Sequence, residues 1–190
     1  MTECQASSPP EVHPALGGRF SPVRFRDDTV VTSEQVDALL EAARLSPSAG
    51  NSQPWRFIVG RRGDSVHARI VRHMARSSSA WAPGADLLVV NLAHVFVEGT
   101  TDFEYSEFSH YDLGQAVAHM TVQGLAMGLD AHQFRAFDRE GIAAEFEIPP
   151  HLEATSMTAF GVSAHEAGAV SSPGTSRSRA TRAEITWARA

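Results

Sequence analysis

The residues most able to do chemistry lie in one segment, residues 45–57, which read LSPSAGNSQPWRF. Their order predicts the end of a helix, a loop of small and amide-bearing residues, and the start of a strand. Such a loop exposes backbone N–H and C=O groups, and its serine and asparagine side chains add donors and acceptors for a planar polar ligand. The alternative is an ordinary connection between a helix and a strand. From these residues alone both interpretations stay open.

Arginine is the second residue type with a clear chemical use. The chain has 16 basic residues and no lysine, so a phosphate ligand would bind arginine or backbone amides. Its net charge of −6 argues against a general binder of nucleic acid or of acidic membranes. The nine histidines stand at no spacing typical of a zinc site, and we expect no metal. Cys4 is the single cysteine, which excludes a disulfide within one chain.

Several segments together resemble the FMN-dependent nitroreductase family. The sequence PSAGNSQPWRF at 47–57 resembles the family signature, and RFSPVRF at 19–25 is similar to its N-terminal R-x-S-x-x-x-F phosphate-binding segment. HYDLGQAVAH at 110–119 and residues 128–138 resemble the family's central helix and the strand and loop that follow it. The similarity extends from about residue 19 to residue 162, with a weaker echo at 177–187, and the motifs keep the family's order.

This resemblance implies an α+β fold, a nitroreductase-like three-layer α-β-α sandwich with a central mixed sheet. It also implies a homodimer with FMN at the subunit interface, where both subunits contribute to each flavin. NAD(P)H would be the transient electron donor, and a small molecule such as a nitroaromatic or a quinone the acceptor, in a ping-pong reaction. The chain has no G-x-G-x-x-G fingerprint, which fits transient binding of the nicotinamide. Because the flavin carries the chemistry, we expect no catalytic acid or base.

The same resemblance assigns roles to individual positions. Arg19 and Ser21 match positions that bind the ribityl chain and phosphate. Contacts to the flavin ring edge and the ribityl hydroxyls are expected from Ser48, Ala49, Asn51 and Gln53. A backbone N–H of the 133–138 loop, expected at Arg135, faces flavin N5. For Arg177 and Arg179 the alternative is a solvated basic tail. The expected cofactor-binding residues are Arg19, Phe20, Ser21, Arg24, Pro47, Ser48, Ala49, Asn51, Gln53, Arg135, Ala136, Arg177 and Arg179.

Three positions depart from the family pattern. Val23 stands where relatives often have Arg or Lys, which removes a phosphate ligand unless Arg24 replaces it. Arg135 and Ala136 replace a small or acidic residue followed by glycine. If the backbone at Ala136 needs a positive φ, alanine costs about 1 kcal/mol relative to glycine. Arg135 brings a cation near the flavin. Ser78 stands where close relatives commonly have Asn.

The segment 98–111 mixes aromatic and acidic residues where relatives have a variable region over the flavin. We expect Tyr105 and Phe108 from this segment, together with Phe134, to contact the substrate. The alternative is that residues 98–111 form an ordinary solvent-facing connection.

Composition indicates one globular domain, with 43% hydrophobic and 20% charged residues. We expect a flexible segment at 1–18, an FMN-binding domain at 19–165, and a C-terminal extension at 166–190 that could reach the partner subunit and the FMN phosphate. No apolar run is long enough to span a membrane, and the N-terminus lacks the pattern of a signal peptide. The expected location is therefore the cytoplasm.

The order of elements supports the layered fold. A capping box at 32–35 predicts a helix that ends before Pro47. Further helices are predicted at 64–75, 113–128 and 138–146, and strands at 55–59, 87–95 and 155–162. The run 87–95 is almost continuously apolar, which is typical of a strand buried on both faces. Helices interleaved with buried strands predict a three-layer sandwich.

The helix predicted at 113–128 has small or apolar residues around its whole circumference, so it should be buried on all sides. It could form the centre of the core. Alternatively, its small residues could let it pack closely against a second copy across a two-fold axis.

Three functions stay open. The leading one is an FMN-dependent NAD(P)H oxidoreductase. A second keeps the fold but makes the chain a flavin-dependent dehydrogenase or dehalogenase of a biosynthetic pathway. The third is a non-catalytic FMN-binding protein, for which a bulky Arg135 beside the ring is an argument.

Overall fold

A computed structural model describes residues 11–165 and 179–189 of the chain. Its helices are α1 Pro14–Gly17, α2 Ser33–Arg44, α3 Ser65–Val71, α4 Arg76–Ser79, α5 Ser109–Ala126 and α6 Arg139–Glu145. Its strands are β1 Trp55–Arg61, β2 Leu87–His94, β3 Asp130–Phe134 and β4 Leu152–Gly161. Two short 3₁₀ turns occupy Ala49–Asn51 and Ala82–Gly84. None of the described helices is both long and apolar enough to cross a membrane.

The four strands form one sheet in the order β1-β2-β4-β3, and each neighbouring pair is antiparallel. The α+β fold is thus confirmed, but the expected mixed sheet is wrong for the described residues. The apolar run of β2 indicated burial on both faces, and helices can cover both faces of a sheet whatever the direction of its strands. Direction is set by long connections, which the strand's own residues do not encode.

Two hydrophobic cores lie on opposite faces of this sheet, which gives the three predicted layers. Helices α2 and α5 cover the first core, and α3 and α6 cover the second. Strand β2 serves both, because successive side chains of a strand point to opposite faces. Its residues in the first core are Leu87, Val89 and Ala93. Its residues in the second core are Leu88, Val90 and Leu92.

Helix α2 begins with the predicted capping box. The Thr32 hydroxyl accepts a hydrogen bond from the Gln35 backbone at 3.2 Å, and the Gln35 carboxamide accepts one from the Thr32 backbone at 2.9 Å. These reciprocal bonds satisfy two of the amide groups that a helix N-terminus leaves without partners. The capped start fixes the register in which Leu39 and Ala43 reach the first core.

Helix α5 buries one face only. Its buried residues are Ser109, Asp112, Leu113, Ala116, Val117, Met120, Thr121 and Gly124. Gly114 and Ala118 lie on the other face and are exposed. The sequence predicted that this helix is buried on all sides, and a single chain does not bury α5 in that way.

The N-terminal segment is fixed to the sheet by one buried ion pair and several backbone contacts. Asp86 is almost wholly buried and pairs with Arg62 at 2.6 Å, while the Thr29 hydroxyl donates to the same carboxylate at 2.7 Å. The Arg62 guanidinium also donates to the carbonyl of Thr29 at 2.5 Å. Further along, the Arg26 amide donates to the carbonyl of Val162 at 2.9 Å. These contacts fix the course of residues 19–29.

Candidate functional site

A cleft of about 430 Å³ opens beside the free edge of β3, between the N-terminal segment and α5. Its lining residues are Leu16, Arg19, Ser21, Ala118, Thr121, Val122, Ala131 and Gln133. Its polar groups are held in place. Arg19 donates to the Ser21 hydroxyl at 3.3 Å, and the Gln133 carboxamide donates to the Thr121 hydroxyl at 2.9 Å. The structure thus brings the predicted residues Arg19 and Ser21 together in one cavity.

His132 holds the N-terminal segment against β3. Its Nδ1 lies 2.7 Å from the Pro22 carbonyl, and its ring stacks on Trp81 with ring centroids 4.3 Å apart. Burial lowers the pKa of His132, the hydrogen bond to Pro22 acts in the opposite direction, and the nearby Arg19 charge lowers it further. The lowered pKa disfavours a charge on His132, and Arg19 lines the cleft with a guanidinium suited to a phosphate.

The loop at residues 48–53 has an unusual backbone. Gly50, Asn51 and Gln53 have φ values of 58°, 56° and 48°, a left-handed conformation that side chains other than glycine rarely adopt. The Ser48 hydroxyl accepts the Gln53 amide at 3.0 Å, which closes the loop. Such strain often accompanies a binding or catalytic site. The side chains of Asn51 and Gln53 are exposed, and the Gln53 carboxamide donates to the Asn51 carbonyl at 3.2 Å.

Three side chains from distant parts of the sequence anchor this loop and its approach. The buried carboxylate of Asp112 accepts the Ala49 amide at 2.9 Å. His119 Nδ1 lies 2.8 Å from the Ser46 hydroxyl, and the Tyr105 hydroxyl donates to the Ser52 carbonyl at 3.0 Å. Sequence reasoning missed Asp112 and His119 as partners of the loop. The one available signal was an acidic residue inside an otherwise apolar helix.

The loop and the cleft lie at different levels of α5. Asp112 anchors the loop near the start of the helix, whereas Ala118 and Thr121 line the cleft six and nine residues further on. At 1.5 Å per residue these separations along the helix are about 9 and about 14 Å. Residues 48–53 are not among the described residues that line the cleft with Arg19 and Ser21.

The connection after β3, residues 135–138, is tied to the start of α4. The Ser78 hydroxyl donates to the carbonyls of Ala75, at 3.0 Å, and Ala136, and the Ala75 amide donates to Ala136 at 3.1 Å. Ala136 is not among the described residues with positive φ, so the strain considered for it does not arise. Ser78, singled out as a departure from the family, is buried and positions the backbone after Arg135.

The other predicted residues are more scattered. Phe134 packs against Trp81 in the second core at 5.0 Å, on the opposite face of β3 from Gln133. Phe108 is 45% exposed, and Tyr105 stacks on His94 with ring centroids 3.9 Å apart. A shared substrate surface for Tyr105, Phe108 and Phe134 stays a prediction.

The remaining predicted cofactor residues lie outside the cleft lining. Phe20 is nearly buried, while Arg24 and Pro47 are exposed. Arg179 belongs to the described segment 179–189, which contains a turn closed by Thr181 and Glu184. Arg177 lies outside the described residues.

Known proteins share sequence motifs and the fold with this chain. Residues 16–88 match the model of the Nitroreductase family. A solved protein from Desulfovibrio desulfuricans, in complex with FMN, has the same fold with a TM-score of 0.73 and 25% identity. The match covers 95% of this chain and 99% of that one. The nitroreductase resemblance is confirmed.

Two curated relatives share short stretches with the nitroreductase-like chain. A candidate NADH dehydrogenase/NAD(P)H nitroreductase of Archaeoglobus fulgidus is 49% identical over 39 residues, which cover 20% of this chain and 22% of the relative. The major NAD(P)H-flavin oxidoreductase of Aliivibrio fischeri is 46% identical over 44 residues, 23% of this chain and 20% of the relative. The chain thus aligns with about a fifth of either relative's length.

Proposed function

We propose that this chain is an FMN-dependent oxidoreductase that passes electrons from NAD(P)H to an oxidised small molecule, such as a nitroaromatic or a quinone, by a ping-pong mechanism. The observation that carries the proposal is the cleft beside β3, which holds Arg19 and Ser21 together in a nitroreductase fold. The similarity to relatives named for NAD(P)H-dependent activity supports the donor. In keeping with the sequence prediction, we propose that it works in the cytoplasm.

The residues present fit FMN. Arg19 supplies a guanidinium for the phosphate, since its forked donors suit phosphate oxygens, and Ser21 adds a hydroxyl. Gln133 and Thr121 offer amide and hydroxyl groups within the same cleft. When bound, FMN would supply a ring that takes up and gives back a hydride. The chain's own residues would bind the cofactor, orient it along β3 and shield it from water.

The loop 48–53 would complete the site from a second copy. The exposed face of α5 holds small residues, including Gly114 and Ala118, that allow another helix to come close. A two-fold axis perpendicular to α5 would place two α5 helices antiparallel, which sets the Asp112 end of one against the Thr121 end of the other. The partner's loop would then meet the cleft, which within a single chain lies about 9–14 Å further along α5 than the loop's anchor. We therefore propose a homodimer with FMN at the subunit interface.

Steady-state oxidation of NADH and NADPH, with and without a nitroaromatic or quinone acceptor, tests the activity. The protein should carry about one FMN per subunit, identified after extraction, and parallel lines in a two-substrate kinetic plot would show the ping-pong order. Bound FMN without NAD(P)H oxidation would favour a non-catalytic flavin protein or a dehydrogenase or dehalogenase with another substrate. FAD in the extract, or no flavin after reconstitution with FMN, would reject the proposal.

A further inference from the structure

A bulge in β4 holds the side chains of two arginines, Arg135 and Arg139, on consecutive backbone carbonyls. Asn91 of β2 pairs with Ser156, but its neighbour Leu92 pairs with Ala154, so Thr155 is an extra residue in β4. Strand β3 pairs with β4 from Met157 to Gly161, and among the described residues no strand pairs with residues 152–156 on that side. Bulges of this kind occur often next to active sites, where they redirect side chains.

Arginine side chains occupy the place of the missing strand. Arg139 Nε donates to the Ala154 carbonyl at 2.8 Å, and Arg135 Nε donates to the Thr155 carbonyl at 3.3 Å. Each bond uses the inner nitrogen of the guanidinium and leaves its two terminal amino groups directed away from that carbonyl. The bulge therefore orients both guanidinium groups through consecutive carbonyls.

The two arginines differ in charge compensation. Arg139 pairs with Glu153, which also lies 3.5 Å from His110 Nε2. Within residues 11–165 and 179–189, Arg135 has no carboxylate partner, and its side chain is exposed. Arg135 thus presents an oriented and uncompensated cation to solvent, whereas the charge of Arg139 is already neutralised.

Arg135 also lies next to the cleft along the chain. It directly follows β3 and lies two residues after Gln133, which lines the cleft. We infer that Arg135 is a specificity-determining residue that binds an acidic group, a carboxylate, on the electron acceptor. This inference rests on the proposed function, since it takes the cleft beside β3 to be the redox site. A guanidinium suits the role because it engages a carboxylate with two parallel hydrogen bonds.

A matched pair of acceptors, 4-nitrobenzoate and 4-nitrobenzamide, tests the inference on the FMN-loaded protein. The readout is the ratio of kcat/KM for the acid to kcat/KM for the amide, in the wild type, R135Q and R139Q. Differences in ring reactivity between the acceptors are the same for every variant. Any general effect of Arg135 on the flavin acts on both acceptors alike and cancels in the ratio. R135Q should lower the ratio about tenfold, as expected for loss of one charge-assisted contact, and R135E should lower it further. R139Q should leave the ratio near that of the wild type.

Binding without turnover gives an independent readout. Titration calorimetry should show that the wild type binds 4-nitrobenzoate more tightly than 4-nitrobenzamide, that R135Q loses this difference, and that added salt reduces it. Equal ratios in the wild type and R135Q, or equal losses in R135Q and R139Q, would overturn the inference. An R135Q variant that changes only the preference for NADPH over NADH, and not the ratio for the two acceptors, would also overturn the inference. If the wild type reduces neither acceptor, the proposed function fails, and the calorimetry still decides whether Arg135 binds acids.

Discussion

The carboxylate of Asp112 and the backbone amide of Ala49 lie 2.9 Å apart, and this hydrogen bond joins the first turns of α5 to the loop 48–53. Asp112 is only 2% exposed. The bond is the direct link between the helix proposed to form the dimer and the loop proposed to reach the partner's cofactor.

Asp112→Ala should therefore affect both stability and cofactor binding. It leaves the Ala49 amide without its acceptor, and loss of a buried partner of this kind costs about 1–3 kcal/mol. We expect the free energy of unfolding, from urea titration at fixed protein concentration, to fall by this amount and FMN affinity to fall as well. Asp112→Asn keeps an acceptor oxygen, so its free energy of unfolding and its FMN affinity should lie between those of the wild type and Asp112→Ala. Unchanged FMN affinity in a destabilised Asp112→Ala protein would show that the loop 48–53 does not contribute to FMN binding.

Tyr105→Phe tests the second anchor of the loop. The change removes the bond to the Ser52 carbonyl and keeps the ring stacked on His94. We expect a loss of about 0.5–1.5 kcal/mol in unfolding free energy and a faster release of FMN in stopped-flow dilution. Tyr111→Phe is the matched control, because Tyr111 is 66% exposed. Equal effects of the two changes would show that the Tyr105 hydroxyl does not hold the loop.

Gly114→Glu tests the proposed dimer. A Cβ at Gly114 meets no atom within 4 Å inside the chain, so the single chain has room for the new side chain. Packed against a second α5, the carboxylate would be buried without a partner, which is strongly unfavourable. We expect light scattering at micromolar concentration to show loss of the dimer and extraction to show loss of FMN. Gly84→Glu, also with open space around it, should remain dimeric and yellow. A stable Gly114→Glu dimer would contradict the assignment of this face.

Local relationships could be predicted from the sequence, whereas long-range ones could not. The capping box of Thr32 and Gln35 was predictable because the two residues are three apart and their bonds follow from helix geometry. Burial of β2 on both faces followed from its composition. The Asp112–Ala49 bond joins residues 63 apart, and no property of either residue specifies the other.

In the candidate site, too, local relationships could be predicted from the sequence and long-range ones could not. Arg19 and Ser21 are two residues apart and were expected to act together, as the cleft now has them. The bond from Ser78 to Ala136 spans 58 residues, so Ser78 could be noticed only as an unusual residue, without its role. The antiparallel sheet was missed for the same reason, since strand direction depends on connections rather than on strand residues.

The stability of the protein should fall as the pH drops below the ordinary histidine pKa of 6.5. Burial, the largest cause in each case, lowers the pKa of His67, His94 and His132. Their unfolded forms take up protons near 6.5 while the folded forms stay neutral, so stability is fully present above that value and is lost as the pH falls towards the lower, folded pKa.

His132→Gln should weaken this dependence. Urea unfolding between about pH 7.5 and 5.5 should give a slope smaller than that of the wild type by up to about 1.4 kcal/mol per pH unit, the limit for one proton. Burial raises the pKa of Asp130, whose contribution acts in the opposite direction, but comparison of the two proteins cancels it. Parallel profiles would show that His132 does not contribute.

The phosphate site gives the last prediction. Arg19→Ala should weaken FMN binding about tenfold to a hundredfold, which corresponds to the 1.5–3 kcal/mol or so of a hydrogen bond to a charged group. Val23 supplies no cation in the same segment, so Arg19 should carry a large share of the phosphate interaction. Riboflavin has the same ring and ribityl chain without the phosphate, and its affinity should hardly change. Fluorescence titration of both flavins measures the difference.

Two controls make that result specific. Arg72→Ala removes an exposed arginine that follows α3, on the opposite face of the sheet from α5, and pairs with Glu145, and it should leave both flavin affinities as they are. The double change of Arg177 and Arg179 to alanine tests the C-terminal prediction by the same pair of flavins. Equal weakening of FMN and riboflavin in Arg19→Ala would show that Arg19 acts through folding. No weakening in the double variant would leave residues 177–179 as a solvated basic tail, with Arg19 as the principal phosphate ligand.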